Sequence, residues 1–474
     1  METPARPGTD VGHELRTALD GLDLVEDPDV LSSLAHDDGE WAEVGRPLGA
    51  LRARSSEEVG RAVRACAELG VPVVTRGAGT GLSGGANATE NCLLLDLSRM
   101  NRILEIDAEN LRAIVQPGVI NDELTKELAE HGLWYPPDPA SSPWSTLGGN
   151  AATNAGGLCC LKYGVTRDYV LGMRAVMGGP AGPYGTEVRL GRATAKGVAG
   201  YDLAGLLVGS EGTLGVITEL TLRLRPLPRE NPRTVVGAFG SLVEAGRAVA
   251  LCTGRGLRPA ALELLDRSCM RAVEDWKHLG IEPDTAALLL ARVDTPGDAG
   301  TAEATELATA FTDGGAAWTE QSTDATEAEA LFAARRLAYP ALERLGPVLT
   351  EDVCVPQSAV PDMLARVEEI GERHQARIAT IAHAGDGNLH PLLLAPPDDE
   401  QAKRAAQAAF EDILSAALEL GGTVTGEHGV GLLKREGMER ELGPEVCAVQ
   451  DAVKQALDPL NLFNPTKVVD PAQA

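Results

Sequence analysis

Twelve consecutive residues, Thr75-Arg-Gly-Ala-Gly-Thr-Gly-Leu-Ser-Gly-Gly-Ala86, constrain what this chain can fold into more than any other segment. They follow directly on Val71-Pro-Val-Val-Thr75, an apolar run with the composition of a short buried strand. Five glycines fall within the nine positions from Gly77 to Gly85. Such a loop turns its N–H groups inward and lets the backbone approach a ligand closely, which suits a pyrophosphate. No lysine follows in the Gly-x-x-x-x-Gly-Lys-[Ser/Thr] pattern, and no helix with an acidic ribose partner follows at the dinucleotide-fingerprint distance. A different phosphate-binding fold is therefore expected.

Two more segments belong with it. Pro136-Pro-Asp-Pro139 precedes Ser145-Thr-Leu-Gly-Gly-Asn-Ala-Ala-Thr-Asn-Ala-Gly-Gly157, where small residues let a flat ring lie against backbone and Asn150, Thr153 and Asn154 supply hydrogen bonds. Gly209-Ser-Glu-Gly-Thr-Leu-Gly-Val-Ile217 ends in a strand.

A second kind of chemistry lies near the C-terminus, in His383-Ala-Gly-Asp-Gly-Asn-Leu-His390 and Gly426-Glu-His-Gly429. Gly385-Asp-Gly-Asn388 is a strong turn signal between strands expected at Ile378–His383 and Leu389–Leu394. A hairpin there would bring His383 and His390 side by side at its mouth. Two histidines with Glu427 suit a divalent metal that keeps open coordination positions, and His428 sits where a base would be placed.

The rest of the chain sets bounds. Its 474 residues exceed one ordinary core, and 44% hydrophobic with 23% charged residues is a soluble globular composition. A net charge of −27 argues against a nucleic-acid partner. The eight cysteines contain no Cys-x-x-Cys pair, Met1–Asp10 has no apolar signal core, and no run approaches the ~18 apolar residues of a membrane span, so a cytoplasmic chain with reduced thiols is expected. Residues 1–45 read as a helical preamble. Ser55 and Glu58 form a capping-box signature for a helix ending at Gly70. Strands are expected at Cys92–Leu97 and Arg112–Gln116, with a helix at Asp122–His131 between the glycine-rich segments. Pro226-Leu-Pro-Arg-Glu-Asn-Pro232 reads as a linker. Beyond it, strands Thr234–Phe239, Ala260–Leu265, Ala286–Val293, Ala317–Gln321 and Val348–Val355 alternate with helices Leu242–Gly254, Ala302–Phe311, Glu327–Arg344, Asp362–Gln375 and Glu400–Leu420. That series suggests an antiparallel sheet with helices on one face. The tail Asp458–Val468 reads as an ordered return loop.

The order and spacing of the three small-residue segments resemble the flavin-binding domain of the vanillyl-alcohol oxidase / para-cresol methylhydroxylase (PCMH) superfamily. The histidine half resembles its FAD-linked D-2-hydroxy-acid dehydrogenases: glycolate oxidase flavoprotein subunit, D-lactate dehydrogenase and D-2-hydroxyglutarate dehydrogenase. The resemblance runs from about Arg46 to Val468. It implies an α+β protein, with a PCMH-type two-subdomain FAD-binding domain at 46–228 after an N-terminal segment at 1–45. A helix-covered antiparallel cap (substrate) and metal domain follows at 229–425, and a segment at 426–474 returns to the flavin. By resemblance, Arg76, Gly77, Ala78, Gly79, Thr80, Gly81, Ser83, Gly84 and Gly85 hold the FAD pyrophosphate. Pro137, Gly149, Asn150, Thr153, Asn154, Gly156 and Gly157 line the isoalloxazine and ribityl chain. Glu211, Gly212, Gly215 and Ile217 close over the adenine side, and Asn464 and Lys467 return to the flavin. Neither glycine-rich segment contains the histidine that attaches flavin covalently in some relatives, and Thr80 stands at the comparable position, so FAD is expected to be non-covalent. Thr466 replaces a glycine common in the family.

The same resemblance makes His383, His390 and Glu427 the metal ligands, His428 the base and Arg335 the group that binds the substrate carboxylate, with Phe332 where relatives often carry tryptophan. Zinc comes first as the metal, with iron or manganese as the other candidates. The implied reaction has the 2-hydroxyl on the metal, its proton taken by His428 and a hydride passing from C2 to flavin N5, leaving a 2-keto acid. Leu392 and Thr350 stand where the 2-hydroxyglutarate enzymes carry an asparagine and, nearby, a lysine. A small D-2-hydroxy acid of lactate or glycolate type is therefore expected, with D-2-hydroxyglutarate and another flavoenzyme chemistry as alternatives. Alkyl-glycerone-phosphate synthase relatives carry a run of consecutive histidines that this chain lacks. No cluster motif is present, so an iron–sulfur, quinone or cytochrome partner is left to accept electrons and to provide any membrane association, and a homodimer is left open.

Overall fold

The computed structural model describes residues 11–39, 41–228, 230–278, 285–322, 324–396 and 398–469. Met1–Asp10, read above for a signal core, lies outside them. The chain divides into two compact units, one made of Met1–Ala155, Val165–Leu227 and Glu427–Ala474, the other of Gly156–Gly164 and Pro228–Gly426.

The first unit contains two main sheets. One has the order Leu24–Val25, Gly49–Arg52, Leu93–Asp96, Val73–Arg76, and its three longer strands are parallel. The helix Ser56–Leu69 connects two of them. Ser55 Oγ accepts from the Glu58 N–H at 3.3 Å, Gly70 closes the helix at φ 67°, and Val59, Val63 and Cys66 are fully buried at i, i+4 and i+7. The expected capping box is displaced by one residue, because the Glu58 carboxylate accepts from the Arg54 N–H (2.8 Å) rather than from Ser55. The N-terminal preamble is not purely helical. Helices Val11–Ala18 and Pro28–Leu34 flank the strand Leu24–Val25, which pairs antiparallel with Gly49–Arg52.

The other sheet is antiparallel, in the order Ile103–Asp107, Arg112–Val115, Val216–Arg223, Val170–Met177, Thr186–Gly191. Its edge strands escape the sequence reading because they are mostly half-buried and carry charged residues in place of an apolar pattern. The helix Arg435–Leu457, bent at Gly443, is also unforeseen. Its Lys454 anchors the tail. Buried Lys454 Nζ donates to Asp458 Oδ2 (2.6 Å), Thr213 O (2.8 Å) and Phe463 O (2.8 Å). Asp458 also accepts from the Leu462 and Phe463 N–H groups and the Tyr184 hydroxyl. The return loop is thereby fixed beside the parallel sheet, where Val73 N–H donates to Leu462 O and Asn464 N–H to Val73 O.

In the second unit an eight-stranded sheet runs Ala316–Ser322, Arg233–Phe239, Ala287–Val293, Ala261–Asp266, Arg377–His383, Asn388–Leu394, Val348–Thr350, with Val353–Cys354 also on Asn388–Leu394. All its pairings are antiparallel. Helices cover both faces, not one. Arg267–Lys277 and Ala325–Glu343 pack on Val236, Ala261, Leu265, Ile381 and Leu392, whereas Phe311 of Gly297–Gly314 packs on the opposite face against Gly237 and Phe239. The reason is in the strands: Ala261–Asp266 and Asn388–Leu394 are buried at every position, so neither face is left to water. The expected strand Val348–Val355 is broken at Glu351-Asp352, both fully buried.

Among the described residues no helix is long and apolar enough to cross a membrane. Lys454→Met leaves Asp458 buried without its cation and is expected to destabilise the first unit by about 3–5 kcal/mol, read as a lower denaturant midpoint. Adding Asp458→Asn should recover part of the loss.

Candidate active site

In the first unit the three small-residue segments converge. The strand Val73–Arg76 runs into a loop in which Gly79 and Gly84 adopt φ of 79° and 78°. A Cβ on Gly77 would lie 2.2 Å from Thr146 Oγ1, so this glycine lets the first loop touch the second segment. That segment forms a helix, Leu147–Thr153, capped by Thr146 and ended by Asn154 in the left-handed region. Thr153 Oγ1 donates within it to Gly149 O (3.2 Å), and Pro137 O accepts from Asn121 Nδ2 (3.0 Å). Gly156 and Gly157 open the short segment that belongs to the second unit.

Several expected cofactor residues hold the loops themselves. Arg76 is buried and donates to His36 O (2.5 Å) and Ala78 O (3.3 Å). Asn464 Nδ2 donates to Gly85 O (2.8 Å) and Glu211 O (2.7 Å), tying the first loop to the third segment. Lys467 Nζ donates to Asn87 O, and burial pushes its ammonium down to about 8. Gly212 and Gly215 have positive φ, and Ile217 is core. The Glu211 carboxylate accepts from Val430 N–H (2.7 Å) and Gly431 N–H (2.9 Å), while Ser83 Oγ donates to His428 O (3.1 Å). The base candidate thus sits on a backbone segment tied to the glycine-rich loop. Burial raises the Glu211 carboxyl to about 7, against the two N–H bonds that lower it. Asp37, absent from the sequence reading, is buried under this loop and accepts from Gly39 N–H (2.9 Å) and Ala86 N–H (3.3 Å). Its one sequence signal is the turn-like Asp37-Asp38-Gly39.

In the second unit the hairpin forms with His383 opposite Asn388 and His390 opposite Ile381. The two histidines are diagonal neighbours on one face, not directly opposed, with ring centroids 5.3 Å apart at 88°. Each turns Nδ1 toward a buried carboxylate that the sequence reading missed. His383 Nδ1 lies 2.8 Å from Glu263 Oε1, and His390 Nδ1 lies 3.7 Å from Asp352 Oδ1. Asp352 Oδ2 accepts from Thr425 Oγ1 (2.7 Å) and Gly426 N–H (3.0 Å). A Cβ on Gly426 would lie 2.5 Å from Asn388 Oδ1, so only glycine fits there. Arg335 is buried, with Nε 2.9 Å from Glu263 Oε2, and its neighbour Arg336 is exposed. The structure thus joins His383 and Arg335 through Glu263, with His390 beside His383 and facing Asp352. Glu427 and His428, with Glu427 Oε1 3.8 Å from His428 Nε2, are counted in the first unit, directly after Gly426. The signal for Glu263 and Asp352 is a carboxylate inside an otherwise apolar strand run.

A family model described as FAD linked oxidases, C-terminal domain, matches residues 228–468, and one described as FAD binding domain matches residues 47–182. The chain belongs to the FAD-linked oxidase family. It is 40% identical over 423 residues to glycolate oxidase subunit GlcD of Bacillus subtilis (strain 168), covering 89% of each chain. It is 33% identical over 450 residues to D-lactate dehydrogenase of Anaerostipes hadrus, covering 93% of each. Among solved structures, p-cresol methylhydroxylase with substrate bound aligns at a TM-score of 0.80 and 17% identity, over 97% of this chain and 96% of that one. At that identity the likeness establishes the fold, which is the PCMH type.

Because Glu211 sits at about 7 instead of the ordinary 4.5, it contributes stability that is present below pH 4.5 and lost as pH rises through about 7. Glu211→Gln should flatten that fall, which amounts to on the order of 3 kcal/mol, in denaturation curves taken from pH 4.5 to 8. An unchanged slope would exclude Glu211 as its source.

Proposed function

We propose that this FAD-linked oxidoreductase oxidises a small D-2-hydroxy acid of the lactate or glycolate type to the corresponding 2-keto acid. The first unit would hold FAD non-covalently, within a flavin-binding portion at 46–228. A substrate and metal portion at 229–425 and a returning segment at 426–474 would complete the protein.

The observation that carries the reading is the pair of buried imidazoles on one sheet face with Arg335 beside them. For His383, a carboxylate oxygen 2.8 Å from Nδ1 makes that nitrogen the donor and leaves the Nε2 lone pair to a metal, with His390 beside it. His383, His390 and Glu427, which is peptide-bonded to the Asp352-held Gly426, would form a two-histidine, one-carboxylate set for Zn²⁺, Fe²⁺ or Mn²⁺. FAD also fits the residues present. Thr75 Oγ1, Ser145 Oγ, Asn150 Nδ2 and Asn464 Oδ1 are buried without a protein partner around the glycine-rich loops, and such groups cost about 1–3 kcal/mol each unless a ligand satisfies them. Bound FAD supplies a two-electron acceptor and the cation a Lewis acid that makes the substrate hydroxyl more acidic.

The protein's own side chains do the rest. Arg335, ion-paired at Nε with Glu263, would grip the substrate carboxylate with its terminal nitrogens, a pairing that would fix C2 in one orientation. His428 takes the hydroxyl proton. Thr350 and Leu392 are cross-strand partners, and neither carries a charge for a second carboxylate. This favours a monocarboxylic substrate, in keeping with the names of the glycolate oxidase and D-lactate dehydrogenase relatives.

Anaerobic mixing with D-lactate, L-lactate, glycolate and D-2-hydroxyglutarate tests the reading. The flavin band should bleach rapidly with glycolate or D-lactate and slowly with the other two. Preferential bleaching by D-2-hydroxyglutarate would instead name a dicarboxylate enzyme. His428→Ala should keep FAD yet slow flavin reduction by about 10²–10⁴-fold, and near-normal reduction would remove His428 as the base. Exhaustive chelation should stop turnover without releasing the flavin; turnover that survives it would refute the cation assignment.

A further inference from the structure

We infer that Glu263 is a positioning residue that couples the cation site to the substrate-carboxylate site. The inference rests on the reading of His383 and Arg335 given above. Glu263 is fully buried in the strand Ala261–Asp266, between Ala261 and Leu265, which face the same apolar cluster as Val236, Leu290 and Phe332. A carboxylate persists in such surroundings only when both oxygens are engaged. Oε1 lies 2.8 Å from His383 Nδ1, and Oε2 lies 2.9 Å from Arg335 Nε. One rigid, planar group therefore orients a residue of the hairpin and a residue of the helix Ala325–Glu343.

Each contact has its own chemical result. On His383, an acceptor at Nδ1 selects the tautomer that presents Nε2 to a cation and raises the basicity of that nitrogen. On Arg335, a carboxylate oxygen 2.9 Å from Nε pairs the guanidinium's charge and holds it against the strand. The helix is held to the same sheet face by Phe332, Ala334 and Ala338, all buried, and the Arg292 guanidinium lies 4.2 Å over the Phe332 ring. Helix, strand and hairpin thus meet at one carboxylate. Asp352 stands in a comparable place beside His390, but its second oxygen goes to Thr425 and Gly426. Glu263 is the carboxylate that reaches both the cation-binding histidine and the arginine.

The test uses the holoenzyme of Glu263→Gln, which keeps the shape and removes the charge. Cation affinity is measured by chelator competition with metal content read by mass spectrometry, alongside FAD content, thermal unfolding, kcat and KM for the hydroxy acid. Glu263→Gln should retain FAD, lose about 10–100-fold in cation affinity, and show a KM raised several-fold through the loosened Arg335. A merely structural role would lower the unfolding temperature and leave cation affinity and KM unmoved, which would overturn the inference. Should Glu263→Gln fail to fold, Glu263→Asp decides. It keeps the charge but cannot span both partners, so either cation affinity should drop or KM should rise while the other is spared, and wild-type values for both would overturn the inference. A wild-type enzyme that turns over with all cation removed would overturn the site reading itself. A cation-dependent wild type whose Glu263→Gln variant binds cation equally well would overturn the inference alone.

Discussion

Two strands paired in unbroken register are what the second unit's candidate site depends on. Arg377–His383 and Asn388–Leu394 match residue for residue over seven pairs, closed by a loop in which Gly387 takes φ 79°. Diagonal neighbours on one face of such a ladder lie within reach of long or aromatic side chains. His383 and His390 are diagonal neighbours, so their approach is a property of register and not of loop conformation. A slip by one residue would send one ring to the opposite face, the side on which Phe311 packs. The glycines of the turn make the register attainable, and the wholly apolar remainder of Asn388–Leu394 makes it the one that buries best.

The first unit solves a different problem. A loop that must present backbone to a ligand has little side-chain mass with which to hold itself in place. Here that mass comes from far along the chain. Arg76 ties the loop to His36, Asp37 gathers two N–H groups from beneath it, and Asn464 joins it to the Glu211 backbone. Glu211 in turn gives both carboxylate oxygens to the backbone after His428. Polar side chains that sequence motifs suggest as ligand contacts thus spend much of their capacity on the scaffold, and the ligand is left mainly to backbone and to a few buried atoms such as Asn150 Nδ2.

The difference between what the sequence discloses and what it hides follows from the range of each interaction. The helix Ser56–Leu69 is legible because its cap, its buried stripe and its closing glycine lie within sixteen residues, Ser55 to Gly70. The histidine hairpin is legible for the same reason. Ile103–Asp107 and Thr186–Gly191 are not, because edge strands face water and carry the charges that water tolerates. The one-face helix cover fails at strands such as Ala261–Asp266, whose uninterrupted burial was readable only as apolar composition. Glu263 is the sharpest instance. It is a single charge in an apolar run, and its partner His383 stands 120 residues away. The apolar run marks it as unusual, but neither of its partners can be read from nearby sequence. Likewise, Arg335 and Arg336 are chemically identical in sequence and become distinct only when the helix buries one of them.

Charge balance connects these residues to the proposed chemistry. Glu263, Asp266, Glu351 and Asp352 are all buried in the second unit, and the buried Arg335 guanidinium lies against Glu263. Among the described residues of this unit, buried carboxyl groups thus outnumber buried guanidinium groups. A hydroxy acid brings one more negative charge, so an anionic substrate would enter a site of its own sign, on a chain whose net charge is already −27. Surface charge matters little at that range, because salt screens it within about 8 Å, but buried charge is not screened. His383 and His390 stand side by side among these carboxylates, their ring centroids 5.3 Å apart. A divalent ion held there, as proposed above, would offset part of that negative charge and give the substrate's oxygens a positive centre.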